Sequence, residues 1–296
     1  MQEAITMDVF STLIQDELQK RMDSVTIEII KGPRRNGQTT KQLIIKDEKS
    51  SGAPAQDLDS LLKTYNNGMS FDEVINHIIS TYNAYKSQGS GPDITDWKYA
   101  KDHLHLRLIN KTNNFEVLFR LAYATFGDIA ITFSIEIDSD LGPEYTNTVS
   151  VTKDFLSLWR KSTKDLFEAA QKPKAKIATA REAVSEFTDI DGEYLNGVLI
   201  LTDESPLNGA KAILDAKGLK KLHKKIGNFL LIPTSIHEWM ILHSDMLKEP
   251  GIPELILTVS NKAVPKDEFL SSHVYSYRDG KLYIDSSSEE HTIEFD

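Results

Sequence analysis

The chain contains no cysteine among its 296 residues. This absence excludes disulfide bonds, thiolate zinc sites, iron–sulfur ligation and cysteine nucleophiles. The sequence also lacks any apolar run approaching the roughly 18 residues that a membrane-spanning helix needs. Residues 1–10 carry acids without the basic stretch that opens a signal peptide. We therefore expect a cytoplasmic protein that does not bind a membrane.

The chain has fewer basic than acidic residues. The 34 Lys and Arg residues face 44 Asp and Glu residues, which gives a formal net charge of −10. An acidic surface repels phosphate backbones, so we expect no nucleic-acid partner. Apolar residues make up 40% and charged residues 26% of the chain, as in folded globular proteins. Its length suffices for one large domain or two ordinary ones.

The N-terminal third predicts two helical regions around a hairpin. Apolar residues recur every three or four positions over 4–20, which indicates an amphipathic helix. Residues 25–30 and 42–46 are β-like and flank a turn-rich loop, so they predict an antiparallel hairpin. Ser70 followed by Glu73 matches a capping box and predicts a helix over 71–86.

Breaks in composition predict the domain organisation. Two glycines and a proline within 87–93 indicate a linker, placed at 88–95. Residues 1–87 then form an N-terminal helix–hairpin–helix lobe. The main domain covers 96–285, with a second boundary within 172–193 as an option. The last residues, 286–296, are interpreted as a frayed acidic tail.

The sequence of the main domain predicts strands and helices that cluster and do not strictly alternate. Its clearest strand is 129–137, where large apolar residues alternate with small or polar ones, as in a strand buried on one face. The remaining predicted strands are 104–108, 145–151, 198–201, 229–232, 239–242, 273–277 and 281–284. The predicted helices are 152–160, 163–171, 207–216, 219–226 and 252–261. The fold class is therefore α+β, with mixed or antiparallel sheets, flanking helices and two lobes.

The segment between two apolar strands, Pro233 to Glu238, holds the most prominent polar side chains. Ser235, His237 and Glu238 have the residue types of Ser-His-acid catalysis. That chemistry needs the imidazole between the hydroxyl and the carboxylate, a geometry that near neighbours rarely reach. No Gly-x-Ser-x-Gly elbow occurs in the sequence. A tight turn is the favoured interpretation, and a binding site at these three residues remains open.

A strand-to-helix step at 201–210 is a second candidate. Asp203 ends the predicted strand, and Asn208 precedes Gly209 at the start of the predicted helix. Backbone amides at such a start can bind an anion. The favoured alternative is that Gly209 permits close packing and Asp203 caps the turn. Asp203 and Asn208 therefore join Ser235, His237 and Glu238 as candidate binding residues.

Other polar patterns predict no cofactor and no metal. His103 and His105 could share a strand face, as metal ligands do, but Arg107 on the same face opposes a cation. Acids at 138–144 crowd a turn without the calcium-loop pattern. The lysines of 217–225 fit a solvated helix face better than a nucleic-acid footprint.

Several segments carry a family resemblance: Arg107–Asn110, Ala122–Asp128, Thr152–Trp159, Leu201–Asp203, Asn208–Ala210, Ile232–Glu238 and Val259–Tyr275. Through them the block Leu106–Ile284 resembles a family of uncharacterised proteins common in Firmicutes, especially gut clostridia. It is also similar to a second, more distant group of bacterial proteins without an assigned activity. The resemblance implies a bacterial, intracellular setting, and it implies no cofactor, substrate or catalytic residue.

Two functions follow as hypotheses. The first is a non-enzymatic interaction or regulatory protein whose partner is another protein, favoured because no catalytic constellation stands out. The second is a hydrolase or small-molecule-binding protein centred on Ser235 and His237.

Overall fold

A computed structural model describes residues 5–33, 35–47, 55–87, 93–137, 147–179, 198–204, 208–243, 251–284 and 292–295. The chain divides into two compact units. The first unit comprises Met1–Asp93 with Ile137–Asn147, and the second comprises Ile94–Glu136 with Thr148–Asp296. Residues 88–92 of the predicted linker (88–95), the acidic turn (138–144) and most of 172–193 lie outside the described residues.

The first unit contains the predicted helix, hairpin and second helix, together with a strand and a helix at 55–66 that were not predicted. Its elements are α1 (Met7–Arg21), β1 (Val25–Pro33), β2 (Thr39–Asp47), β3 (Ala55–Asp57), α2 (Leu58–Asn66) and α3 (Phe71–Ser87). The three strands form an antiparallel sheet in the order β1-β2-β3.

Local chemistry explains where α3 begins. The backbone N–H of Ser70 donates to Glu73 Oε2 at 2.8 Å, and the N–H of Glu73 donates to Ser70 Oγ at 3.3 Å. This reciprocal pair is the predicted capping box. One core then joins the three helices to the hairpin, since Phe10, Leu43 and Ile75 belong to the same buried apolar cluster.

The second unit contains two antiparallel sheets and most of the helices. Its first elements are α4 (Trp97–Asp102), β4 (Leu104–Asn110), α5 (Phe115–Leu118), β5 (Tyr123–Phe126), β6 (Ile129–Ile137), β7 (Asn147–Ser150), α6 (Lys153–Trp159), α7 (Thr163–Ala169) and β8 (Ala175–Thr179). After them come β9 (Val198–Asp203), a 3-10 helix (Gly209–Leu214), α8 (Ala216–Ile226), β10 (Phe229–Pro233) and β11 (Trp239–His243). The last are α9 (Ile252–Ala263), a 3-10 turn (Lys266–Glu268), β12 (Tyr275–Arg278), β13 (Lys281–Ile284) and β14 (Glu294–Phe295).

The two sheets of the second unit have different strand orders. One has six strands in the order β13-β12-β10-β11-β9-β8. The other has the order β14-β5-β6-β4, and β7 also pairs with β6. Every described strand pairing is antiparallel, so the α+β prediction is confirmed. Among the residues that the structure describes, no helix is long and apolar enough to cross a membrane.

The prediction that β6 is buried on one face only is wrong. Its first seven residues are all buried, including the small or polar Ala130, Thr132 and Ser134. The reason is packing on the second face: Leu118 of α5 contacts Ala130 and Ile109 in a separate apolar cluster. Small side chains on that face leave room for the helix to approach.

Other elements also differ from the sequence prediction, which did not include α4, α5 or β5. Strand β8 lies within 172–193, which showed no clear periodicity because an edge strand of Ala, Lys and Thr with one Ile has little apolar alternation. Residues 294–295 of the supposed tail pair with β5 as β14. The predicted helix 207–216 is a 3-10 helix from Gly209 to Leu214 in the described part.

Gly209 permits this 3-10 helix to lie directly on β9. A Cβ atom at this position would come closer than 3.0 Å to Thr202 Oγ1 and to the carbonyl oxygen of His237. Only a hydrogen atom fits in that space. The close-packing interpretation of Gly209 therefore agrees with the structure.

We predict that Gly209→Ala destabilises the second unit by about 3 kcal/mol or more, because the backbone carbonyl of His237 cannot move aside cheaply. Unfolding in denaturant, followed by tryptophan fluorescence, measures this, since all three tryptophans lie in the second unit. Gly280→Ala is the control. Its Cβ would meet nothing within 4 Å, so only the φ of +81° opposes it, at about 1 kcal/mol. Equal losses for the two variants would contradict the prediction.

Candidate functional site

The turn between β10 and β11 is held by its own polar side chains. Ser235 Oγ accepts the backbone N–H of His237 at 3.0 Å. The hydroxyl of Thr234 donates to the carbonyl oxygen of Glu238 at 3.0 Å. These are the local bonds through which Ser and Thr stabilise turns. Ser235 is thus engaged with the backbone of its neighbour.

His237 connects this turn to the segment before the 3-10 helix. Its Nδ1 accepts the backbone N–H of Asn208 at 3.2 Å, and its carbonyl oxygen accepts the hydroxyl of Thr202 at 2.9 Å. An accepting Nδ1 places the proton of the neutral ring on Nε2, which lies 3.8 Å from Glu268 Oε1. A serine nucleophile needs an imidazole nitrogen with a lone pair facing its hydroxyl. The contacts of His237 direct that lone pair to Asn208 instead.

Asp203 is buried and paired. Its Oδ2 lies 3.2 Å from Lys211 Nζ, and the two side chains are 9% and 10% exposed. Its Oδ1 accepts the backbone N–H of Lys174 at 2.6 Å, which ties the start of β8 to the end of β9. Removing one partner of such a pair leaves an uncompensated buried charge. The contacts of Asp203 are those of a structural carboxylate.

Asn208 has a left-handed backbone, with φ of 58°, just before the 3-10 helix. The amide that could have bound an anion donates to His237. The structure thus links Asn208 and Ser235 to the same residue, His237. Glu238 joins them through Thr234, whereas the carboxylate of Asp203 faces Lys211.

The two histidines considered as metal ligands, His103 and His105, do not lie on one strand face. His103 ends α4, and its ring stacks on Tyr99, so it does not share the strand face with His105. His105 Nε2 lies 3.5 Å from Glu136 Oε2. Burial lowers the pKa of His105, and Glu136 opposes that shift. Within the described part of the chain, no group of three or more His, Asp or Glu side chains could hold a metal ion.

The lysine run lies on the solvent side of α8. Its five lysines are exposed, while Leu219 and Leu222 on the opposite side are buried. This is the arrangement of a solvated helix face.

A polar cluster that the sequence analysis did not identify is centred on Asp128. The two-residue turn Gly127–Asp128 joins β5 to β6, with Gly127 at a φ of +58°. The carboxylate of Asp128 accepts the hydroxyls of Ser271 at 2.7 Å and of Tyr275 at 2.7 Å. It also accepts the backbone N–H of Ser272 at 3.3 Å. Both sequence segments belong to the family resemblance, but nothing in the sequence showed that they meet.

The Asp128 cluster has the composition of a catalytic triad without its geometry. Ser271 is fully buried and donates directly to the carboxylate, and its Oγ accepts the backbone N–H of His273. The ring of His273 takes no part in this hydrogen bond, and its Nε2 lies 4.0 Å from Asp128 Oδ2. The imidazole therefore does not stand between hydroxyl and carboxylate, as general-base activation requires. The cluster holds the β5–β6 turn against the segment that leads into β12.

An open depression of about 710 Å³ lies beside this cluster. It is lined by Lys111, Thr112, Phe115, Gly127, Asp128, His273 and Ile284. The volume is in the range of ligand sites, and the lining combines apolar walls with a few polar groups.

Two phenylalanines next to the depression are exposed to solvent. Phe115 is 75% and Phe119 is 77% exposed, while Leu118 between them is buried. The backbone N–H of Phe119 donates to the carbonyl oxygen of Phe115, so one helical turn presents both rings on the same side. Lys153 Nζ lies 5.8 Å from the centroid of the Phe119 ring.

Comparison with known proteins places the chain in a family. It belongs to DUF5688, a family of unknown function, which matches residues 7–279. The match begins at residue 7 and so takes in most of the first unit and both His103 and His105, which precede the block Leu106–Ile284. It ends at residue 279, within that block. The chain has no significant match among curated proteins or among solved structures.

Tyr275 gives the Asp128 cluster a measurable signature. The pKa of Tyr275 is raised well above that of an ordinary phenol. Burial is the larger cause, and the negative charge of Asp128 is the second. Above pH about 10 the unfolded chain releases this proton and the folded chain retains it. Stability then falls as pH rises, by about 1.4 kcal/mol per pH unit for this group. Below pH 10 both states are protonated and the pH effect of this group disappears.

We therefore predict a difference between the wild type and Tyr275→Phe. At pH 7 the free energy of unfolding of the variant is about 1–3 kcal/mol lower than that of the wild type, because Asp128 loses a hydrogen-bond donor. Above pH 10 the stability of the variant declines less steeply than that of the wild type. Urea unfolding at pH 7 to 11 measures both effects. Parallel pH curves for the two proteins would contradict the raised pKa.

Proposed function

We propose that this is a bacterial, cytoplasmic protein that acts by binding another protein and not by catalysis. The setting, including its distribution in Firmicutes and a distant link to a second bacterial family, is proposed from the resemblance of the block Leu106–Ile284. The binding function is proposed from the exposed pair Phe115 and Phe119, which we call the aromatic pair.

The aromatic pair supports binding because its exposure is costly. Burying a phenylalanine side chain stabilises a protein or complex by about 1.5–3 kcal/mol relative to leaving it in water. Here two rings stand out from one short helix whose next apolar residue, Leu118, is buried in the core. Aromatic residues that protrude in this way are typical anchors of protein interfaces.

The surroundings of the pair indicate the chemistry of the partner. Lys153 lies over the Phe119 ring, and Phe115 shares the depression with Lys111 and His273. A complementary surface is an apolar groove bordered by carboxylates, because complementary charge orients an encounter and excludes other partners. We therefore propose a protein partner with such a groove.

The alternative function, a hydrolase or small-molecule-binding protein centred on Ser235 and His237, has less support. Ser235 Oγ and His237 Nδ1 both accept backbone N–H groups that hold the turn and its neighbouring segment. Asp128, Ser271 and His273 likewise form a cluster without nucleophile geometry.

We predict that Phe115→Ser/Phe119→Ser loses the partner and keeps its fold. Two buried rings contribute about 3–6 kcal/mol, so the affinity falls about 100-fold or more. Tagged protein expressed in its native host is captured, and the associated proteins are quantified by mass spectrometry. The affinity of the enriched partner is then measured with purified proteins.

Leu255→Ser/Val259→Ser is the matched control. These residues lie one turn apart on α9 and are 60% and 59% exposed, so the variant removes a similar exposed apolar pair elsewhere on the second unit. The control should retain the partner. Equal retention by the Phe115/Phe119 variant would refute the proposed surface. If the wild type and the control form a dimer and the Phe115/Phe119 variant does not, the partner is a second copy of this chain.

A further inference from the structure

We infer that the depression beside Phe115 binds an acidic side chain of the partner, and that Lys111 selects it. This inference rests on the proposed function, since the depression and the aromatic pair share Phe115. It adds the chemical class of the ligand, a carboxylate next to a large apolar residue, and a residue that determines specificity.

Lys111 is the cation that the depression offers. Its backbone N–H donates to the carbonyl oxygen of Asp128 at 2.8 Å, which fixes the residue at the rim. Its side chain is half-buried, and in the described part of the chain no carboxylate lies within 4.0 Å of its Nζ. A partly desolvated ammonium without a counter-ion favours an incoming carboxylate, because charge-assisted hydrogen bonds are stronger than neutral ones.

Asp128 also lines the depression but does not serve as the counter-ion of Lys111. Its side chain is 16% exposed, and its oxygens accept from Ser271, Ser272 and Tyr275. These three donors stabilise its charge. His273, 45% exposed at the rim, offers a second polar group to the ligand.

The apolar walls define the rest of the ligand. Phe115 and Ile284 both line the depression, and Phe115 continues into the aromatic pair. A volume of about 710 Å³ exceeds that of one carboxylate, so the ligand also places apolar atoms against these walls. The fitting segment is an Asp or Glu adjacent to a large apolar side chain.

The inference can be tested by peptide selection, which needs no knowledge of the natural partner. A random-peptide phage library is selected against the full-length wild type, Lys111→Glu, Phe115→Ser/Phe119→Ser and the control Lys220→Glu. Lys220 is exposed on α8, so the control makes the same charge change away from the depression. We expect the wild type and the control to enrich peptides with an acid beside a large apolar residue.

Lys111→Glu should lose this preference and bind the peptides selected by the wild type about 10-fold or more weakly. The reason is that the introduced carboxylate repels the carboxylate of the peptide. Wild-type peptides without an enriched acid, or equal binding by Lys111→Glu and Lys220→Glu, would overturn the inference while leaving the aromatic pair intact. Selection that yields no peptide dependent on Phe115 and Phe119 would overturn the proposed function as well.

Discussion

A single carboxylate, that of Asp128, connects the two sheets of the second unit. It lies in the tight turn between β5 and β6 and accepts hydrogen bonds from Ser271, Ser272 and Tyr275, at the approach to β12. Tyr275, one of these donors, also stacks on Phe126 and meets Trp239 edge-on. The Asp128 side chain is only 16% exposed, and a carboxylate that is largely removed from water needs donors around it. The five-stranded and six-stranded sheets therefore meet where three donors converge.

The polar residues that look most like a catalytic site have the same kind of role. His237 and Ser235 hold the β10–β11 turn against the segment that precedes the 3-10 helix, and Asp203 neutralises Lys211 inside the unit. Ser235 and His237 lie in a turn without strand pairing, and Asp203 is the last residue of β9. In both places a side chain satisfies a backbone donor that the strands leave unpaired. Their shared task explains why polar residues concentrate in these loops.

Function is then best sought on the surface. The buried clusters are satisfied by their own neighbours, whereas Phe115 and Phe119 expose apolar area that no described element covers. The depression next to them adds apolar walls and Lys111, which has no carboxylate within 4.0 Å of its Nζ among the residues that the structure describes. Interfaces commonly combine such features, an aromatic anchor within a polar rim.

The sequence predicted what depends on near neighbours. The capping box at Ser70, the β1–β2 hairpin and the buried side of α8 follow from spacing and propensity alone. Strand β8 and the full burial of β6 could not be predicted, because an edge strand and a covered second face are defined by distant elements. The same limit applies to the site: the bond between Asn208 and His237 spans 29 residues, and that between Asp128 and Tyr275 spans 147. Residue types are local, but the convergence of donors on one carboxylate arises only when the sheets pack.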